Sequence, residues 1–121
     1  MTQPPTPARI IAFVAHHYDR TADELLAYGK WQPLARQRHV AMWMCRQYTG
    51  HSYPRIGQNM GGRDHATIMY GVKQINKLLA MNTPQAIRVR SDIAIIQTML
   101  ATGHASPIVA AMSVRGERVP A

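Results

Sequence analysis

Three consecutive residues, Arg63, Asp64 and His65, carry side chains suited to recognition of nucleic-acid bases, and Asp64 and His65 could instead transfer protons. Catalysis is the weaker interpretation, because no second carboxylate or nucleophile accompanies the Asp-His pair in its segment. Base recognition fits each residue type. An arginine donates two hydrogen bonds to guanine, an aspartate accepts one from the cytosine amino group, and a histidine packs on the thymine methyl group. We therefore expect no catalytic residues and a surface that reads bases.

Positive charge is concentrated in the middle of the chain. The 121 residues include 14 Lys and Arg against 6 Asp and Glu, which gives a formal net charge of +8. Residues 28–77 hold eight of these cations and one acidic residue, whereas residues 1–27 are slightly negative. This distribution favours a polyanionic partner, and a nucleic acid is the leading one. Charge alone leaves open a generic basic helical surface.

Composition excludes several other classes of protein. The single cysteine, Cys45, excludes an intramolecular disulfide and a cysteine-based zinc site, and no two of the six His lie at i, i+3 or i, i+4 spacing. The longest apolar run covers residues 10–15, far short of the roughly 20 residues that span a bilayer. We expect no metal, cofactor, small-molecule substrate or membrane contact, and a cytoplasmic protein associated with the nucleoid.

The first half of the chain predicts three helices, and no segment shows the two-residue alternation of a strand. Ile10 and Val14 belong to the apolar stripe of a first helix. Thr21, followed three residues later by Glu24, resembles a capping box that begins a short second helix. A basic loop then leads to a long third helix, which Gly50 ends.

The next segment predicts a helix-turn-helix. Ser52 is a suitable N-cap for a short helix of about nine residues with Pro54 in its first turn. Gly61 and Gly62 supply the left-handed backbone of a turn, and Asp64 can cap the helix that follows. In this motif the second helix enters the major groove of DNA. The buried stripe predicted for that helix consists of Ile68, Val72, Ile75 and Leu79.

A last helix begins near Pro84, carries an apolar stripe and stops before Gly103. The sequence thus predicts an all-α fold, a compact bundle of five to six helices that contains a helix-turn-helix preceded by a basic loop. We expect residues 1–7 to form a flexible lead and residues 8–101 to form the domain. Residues 102–121 are predicted to be a flexible or partner-docking tail.

The block IGQNMGGRDHATI, with its upstream ARQR segment and basic loop, resembles the C-terminal DNA-binding domain of the DnaA replication initiator family. The likeness runs from about residue 10 to residue 79 and more loosely to residue 100. The phosphate-binding pattern G-x-x-x-x-G-K-[ST] does not occur in the sequence, and 121 residues are too few for the initiator's ATPase module. The resemblance therefore implies a free-standing DNA-binding domain.

The resemblance also implies which residues bind DNA. The segment 63–67 would face base edges and phosphates in the major groove. Arg36 and Arg38 would hold phosphates, and Lys30 in the loop would enter the adjacent minor groove. The complete implied set is Lys30, Arg36, Arg38, His39, Ser52, Pro54, Arg63, Asp64, His65, Ala66, Thr67 and Lys73.

Three positions of this set depart from the family pattern. Lys30 replaces an arginine, His39 stands where glutamine is common, and Ala66 stands where threonine is common. Ala66 lacks a hydroxyl donor but can touch a thymine methyl group. We expect the preferred DNA sequence to differ from the initiator's box by a base or two, each worth about 1–3 kcal/mol.

Together these observations predict a sequence-specific double-stranded DNA-binding protein. It would recognise sites like the initiator's boxes and regulate transcription or replication initiation without ATPase activity. Two alternatives stay open. One is a protein-interaction module that docks on a partner such as the initiator, through the motif helix or the C-terminal tail. The other is non-specific DNA binding.

Overall fold

The computed structural model describes residues 5–29 and 32–103, which form six α-helices and no strand. The predicted all-α bundle of five to six helices is confirmed. Lys30 lies outside the described residues, and so does the predicted tail from residue 104 onward. The helices are α1 (Pro7–His17), α2 (Ala22–Leu26), α3 (Gln32–Thr49), α4 (Tyr53–Asn59), α5 (His65–Leu79) and α6 (Pro84–Thr102).

Side-chain caps determine where the first two helices begin. Thr6 Oγ1 accepts a hydrogen bond from the backbone N–H of Arg9 at 3.2 Å, and α1 begins at Pro7, the last residue of the predicted lead. The predicted capping box of α2 is confirmed. Thr21 Oγ1 accepts from the Glu24 backbone at 3.0 Å, and the Glu24 carboxylate accepts from the Thr21 backbone at 2.8 Å.

The core lies where α1, α3, α5 and α6 meet, and α3 packs most extensively on α5. The stripe predicted for α5 is buried at its first three positions, whereas Leu79 is half-buried and its neighbour Leu78 is buried. Burial of such stripes is the main stabilising contribution to a helical bundle. The apolar stripe predicted for α6 is buried at all four positions, which are Val89, Ile93, Ile96 and Leu100.

Cys45 lies in α3 with no exposed surface, inside the apolar core. Burial raises the pKa of its thiol to about 12, because the thiolate loses its hydration. The residue thus behaves as a small core side chain, in agreement with the sequence interpretation.

Polar contacts hold α6 alongside α1 at two places. Arg9 Nη2 donates to the carbonyl oxygen of Gly103 at 3.0 Å. Near the other end of α1, Asp92 Oδ1 lies 2.8 Å from His17 Nε2, and Asp92 Oδ2 accepts from the Tyr18 hydroxyl at 2.9 Å. Burial and the adjacent carboxylate raise the pKa of Tyr18. These contacts fasten both ends of α1 to α6.

None of the six helices is long and apolar enough to cross a membrane. Residues 5–29 and 32–103 also contain no group of three or more His, Cys, Asp or Glu side chains arranged to hold a metal ion.

Candidate nucleic-acid interface

The turn between α4 and α5 depends on Gly57, which sequence analysis missed. The backbone N–H groups of Met60, Gly62 and Arg63 all donate to the Gly57 carbonyl oxygen, at 3.1, 3.1 and 2.9 Å. A Cβ atom at Gly57 would collide with the carbonyl of Arg63. Gly61 and Gly62 adopt the predicted left-handed backbone, with φ of +75° and +77°. The turn is therefore compact and sets the direction in which α5 starts.

The first turn of α5 carries a continuous exposed surface. Asp64 is the N-cap, as predicted, and its Oδ1 accepts from the backbone N–H of Ala66 at 2.9 Å. The Asp64 and His65 side chains are 66% and 61% exposed, and Ala66 and Thr67 are exposed as well. Because the cap holds Asp64 in place, these side chains project from a rigid helix start.

Exposed residues continue along the outer face of α5. Ala66, Tyr70, Lys73 and Lys77 follow one another in steps of four, three and four, opposite the buried stripe, and all are exposed. Lys73 belongs to the predicted set, whereas Tyr70 and Lys77 do not. The signal that identifies them is the spacing itself, because it repeats the helical period on the polar side. We call these four residues the outer stripe.

Arg63 is placed differently from the prediction, which had its guanidinium free to bind guanine. Its Nη1 donates to the carbonyl oxygens of Leu26 and Met60 at 3.1 and 2.6 Å, and its Nη2 donates to that of Ala27 at 3.1 Å. The guanidinium lies over the ring of Tyr28. Burial lowers its pKa. The physical reason is that the end of α2 exposes carbonyls without helical partners, and Arg63 satisfies two of them.

Arg38, which the sequence predicts to hold a phosphate, has its guanidinium on the protein backbone. The residue is only 5% exposed. Its Nε donates to the carbonyl oxygen of Leu25 at 2.6 Å, its Nη1 to that of Gly29 at 3.2 Å, and its Nη2 to that of Ala27. Burial, and then the nearby charge of Arg63, lower its pKa. The guanidinium thus binds the backbone that follows α2, and it has little surface left for DNA.

Two other predicted residues lie near the start of α3. Arg36 and His39 are both half-buried. Burial lowers the pKa of His39, and the charges of Arg36 and Arg38 lower it further. The His39 ring meets the ring of Tyr70 at an edge, with 5.7 Å between centroids. His39 therefore packs against Tyr70 of the outer stripe from the α3 side, while part of its surface stays exposed.

The start of α4 presents two more predicted residues. Ser52 is its N-cap, and Ser52 Oγ accepts from the backbone N–H of Arg55 at 3.3 Å. Ser52 and Pro54 are both exposed. The helix covers seven residues, somewhat shorter than predicted, because Met60 already leaves helical geometry to enter the turn.

A cleft of about 370 Å³ separates three parts of this surface. Tyr28 and Gly29 line it from the segment that follows α2, Ala35 and His39 line it from α3, and Thr67 lines it from α5. The structure therefore brings the described part of the basic loop, the first half of α3 and the start of α5 to one side of the molecule.

Comparison with known proteins gives a consistent result. Residues 7–75 match the family described as the bacterial dnaA protein helix-turn-helix. The chain is similar to chromosomal replication initiator protein DnaA from Cutibacterium acnes, with 43% identity over 76 residues, which are 63% of this chain and 15% of that protein. For DnaA from Cereibacter sphaeroides the identity is 37% over 87 residues, covering 72% of this chain and 18% of the relative. The chain thus spans less than a fifth of the length of these relatives.

Proposed function

Because the chain belongs to the family of bacterial DnaA helix-turn-helix domains, we propose that it binds double-stranded DNA and reads its sequence with α5. The observation that carries this proposal is the exposed, capped start of α5. Four successive side chains there, residues 64–67, are free to face a groove. A rigid helix start of this kind is what a helix-turn-helix inserts into the major groove.

Asp64, His65 and Ala66 are the proposed base readers. Asp64 keeps one carboxylate oxygen for the cap, and the other can accept from a cytosine amino group. His65 and Ala66 can contact the thymine methyl group. Arg63 is not among the proposed readers, because three of its five N–H groups donate to carbonyls of the protein.

The proposed DNA-backbone contacts come from three helices and one helix cap. Arg36 lies on α3, Ser52 and Pro54 lie at the start of α4, and Thr67 and Lys73 lie on α5. Such contacts fix position without selecting sequence. Lys30 follows the described Gly29, which lines the cleft beside α5. We propose that Lys30 enters the minor groove next to the major-groove site.

The biological role that fits this surface is control of transcription or replication initiation at sites like the initiator's boxes, without an ATPase activity of the chain itself. Double-stranded DNA is the proposed partner, at the nucleoid in the cytoplasm. The matched region is a helix-turn-helix domain and not a catalytic one. Competition with the initiator for shared sites would follow from a common binding mode.

Selection of bound duplexes from a random-sequence pool, at about physiological salt, tests the proposal directly. We expect one enriched motif and at least about 10³-fold tighter binding than to scrambled DNA. His65→Ala should reduce the preference at one base pair. The matched control is His16→Ala, since His16 is an exposed histidine at the end of α1.

Two results would contradict sequence-specific binding. Binding without an enriched motif would show a non-specific DNA-binding protein. Failure to bind any duplex, at low as well as moderate salt, would favour docking on a protein partner, because contacts with phosphate strengthen steeply as salt is lowered.

A further inference from the structure

Tyr70 is the one large aromatic side chain on the outer stripe. It is 58% exposed, and it shares this face with one alanine and two lysines. Lys73 and Lys77 follow it at three and seven residues, and both are exposed. A polyanion attracted by these lysines would therefore come into contact with the ring.

The ring of Tyr70 is held in place from the protein side. His39 on α3 meets it edge to face, with 5.7 Å between centroids and an interplanar angle of 77°. His39 is itself half-buried, so its own position is constrained by the packing of α3 on α5. A ring supported in this way loses little conformational entropy when a ligand packs on its free side.

The direction of helical side chains places this ring next to the base readers. A long side chain in a helix points toward the N-terminus and covers the turn that precedes it. The residue four positions before Tyr70 is Ala66, whose single methyl group leaves that turn open. The ring of Tyr70 therefore lies on the Ala66 side of the outer stripe, toward the start of α5.

We infer that Tyr70 is a specificity-determining residue that packs on the methyl group of a thymine in the major groove. This inference rests on the proposed function. Thymine is the base that presents an apolar group there, and an aromatic ring flanked by lysines fits an apolar group surrounded by phosphates. The ring, rather than the hydroxyl, makes the contact.

The helix geometry gives the position of this thymine. Four residues of helix rise about 6 Å, and successive base pairs are about 3.4 Å apart. Tyr70 thus reads a base pair about two steps away from the one that Ala66 contacts. The two readouts should be separable in a single binding site.

Replacement of thymine by deoxyuridine tests the inference, since it removes only the 5-methyl group. Each thymine of the selected duplex is replaced in turn, and binding is measured for the wild type, Tyr70→Phe and Tyr70→Ala. The control is Tyr48→Ala, at the exposed end of α3. Thermal unfolding of each variant shows whether the fold is retained.

We expect one replacement to weaken wild-type binding about fourfold, as for one buried methyl group. Tyr70→Phe and Tyr48→Ala should show the same loss of affinity when that methyl group is removed. Tyr70→Ala should bind the thymine and deoxyuridine duplexes equally at that position, while it retains the preference at the base pair read by Asp64.

Several outcomes would overturn the inference. In one, no thymine responds to methyl removal in the wild type. In another, Tyr70→Ala keeps every response and weakens all duplexes alike. In a third, Tyr70→Phe loses as much affinity as Tyr70→Ala, which would indicate a hydroxyl contact with phosphate. By contrast, equal wild-type binding to selected and scrambled DNA would refute the proposed function itself.

Discussion

The guanidinium of Arg63 lies over the ring of Tyr28, with 4.7 Å between its central carbon and the ring centroid. The Tyr28 hydroxyl donates to the carbonyl oxygen of Gly61 at 2.6 Å. Together with the bonds from Arg63 to Leu26 and Ala27, these contacts join the segment after α2 to the turn before α5. An arginine inside the helix-turn-helix therefore stabilises the fold around the start of α5.

Arg63→Ala should lower the free energy of unfolding by about 1–3 kcal/mol, because the Leu26 carbonyl loses its side-chain donor and the Ala27 carbonyl loses one of two. Any loss of DNA affinity should be the same for all DNA sequences, and the selected motif should not change. Chemical denaturation and duplex selection measure the two effects. The control is Arg55→Ala, which removes an exposed cation from α4. A changed motif would return Arg63 to the base readers.

Substitution of Arg38 should mainly reduce stability, whereas substitution of Arg36 should mainly weaken DNA binding. Arg38→Met removes the side-chain donor of the Leu25 and Gly29 carbonyls and one of the two donors of the Ala27 carbonyl. It should cost at least about 2 kcal/mol of folding free energy. Arg36→Ala should change stability by less than about 1 kcal/mol and reduce the slope of log affinity against log salt by about one. Denaturation curves and salt titrations of both variants test this contrast. If Arg38→Met instead reduces the salt slope and leaves stability unchanged, Arg38 binds phosphate as the sequence predicts.

His39 should make stability depend on pH. Its pKa is lowered in the folded state, so below about pH 6.5 the unfolded chain binds the proton more readily. Stability should therefore fall as the pH falls from about 6.5 toward the folded pKa. His39→Gln keeps a polar side chain without titration, and its loss of stability between about pH 7.5 and pH 5.5 should be smaller. His16→Gln, on the exposed end of α1, is the control, and equal losses in wild type and His39→Gln would contradict the prediction.

Asp64 should show two separable roles. Asparagine caps a helix about as well as aspartate, whereas alanine costs about 1 kcal/mol. Asp64→Asn should therefore keep the unfolding free energy, and Asp64→Ala should lower it. Both variants should relax the preference at one base pair by about 1–3 kcal/mol. Denaturation and binding to single-base variants of the selected duplex measure these effects. If both variants keep the preference at every base pair, Asp64 caps α5 but does not read a base.

The helices and their starts could be predicted because their signals are local. Thr21 and Glu24 are three residues apart, and the predicted capping box needs nothing from the rest of the chain. The cap at Asp64 and the left-handed Gly61 and Gly62 are equally local. The likeness around GGRDH then indicated which helix to regard as the reader.

The direction of the arginine side chains could not be predicted in the same way. Arg38 binds carbonyls nine to thirteen residues away, and Arg63 reaches Leu26, 37 residues away. These partners exist only because α2 is short and ends against the turn. A count of cations in sequence shows the charge that attracts DNA, but not which guanidinium groups the protein uses for its own backbone.

The rate at which the buried thiol of Cys45 is alkylated can measure how often the core opens. Because it is the only cysteine in the chain and is fully enclosed, an alkylating reagent can reach it only when the core opens. A duplex that binds the folded form alone lowers the open population. The rate of alkylation should then fall as specific DNA is added, and it would report affinity without any label on the surface that touches DNA.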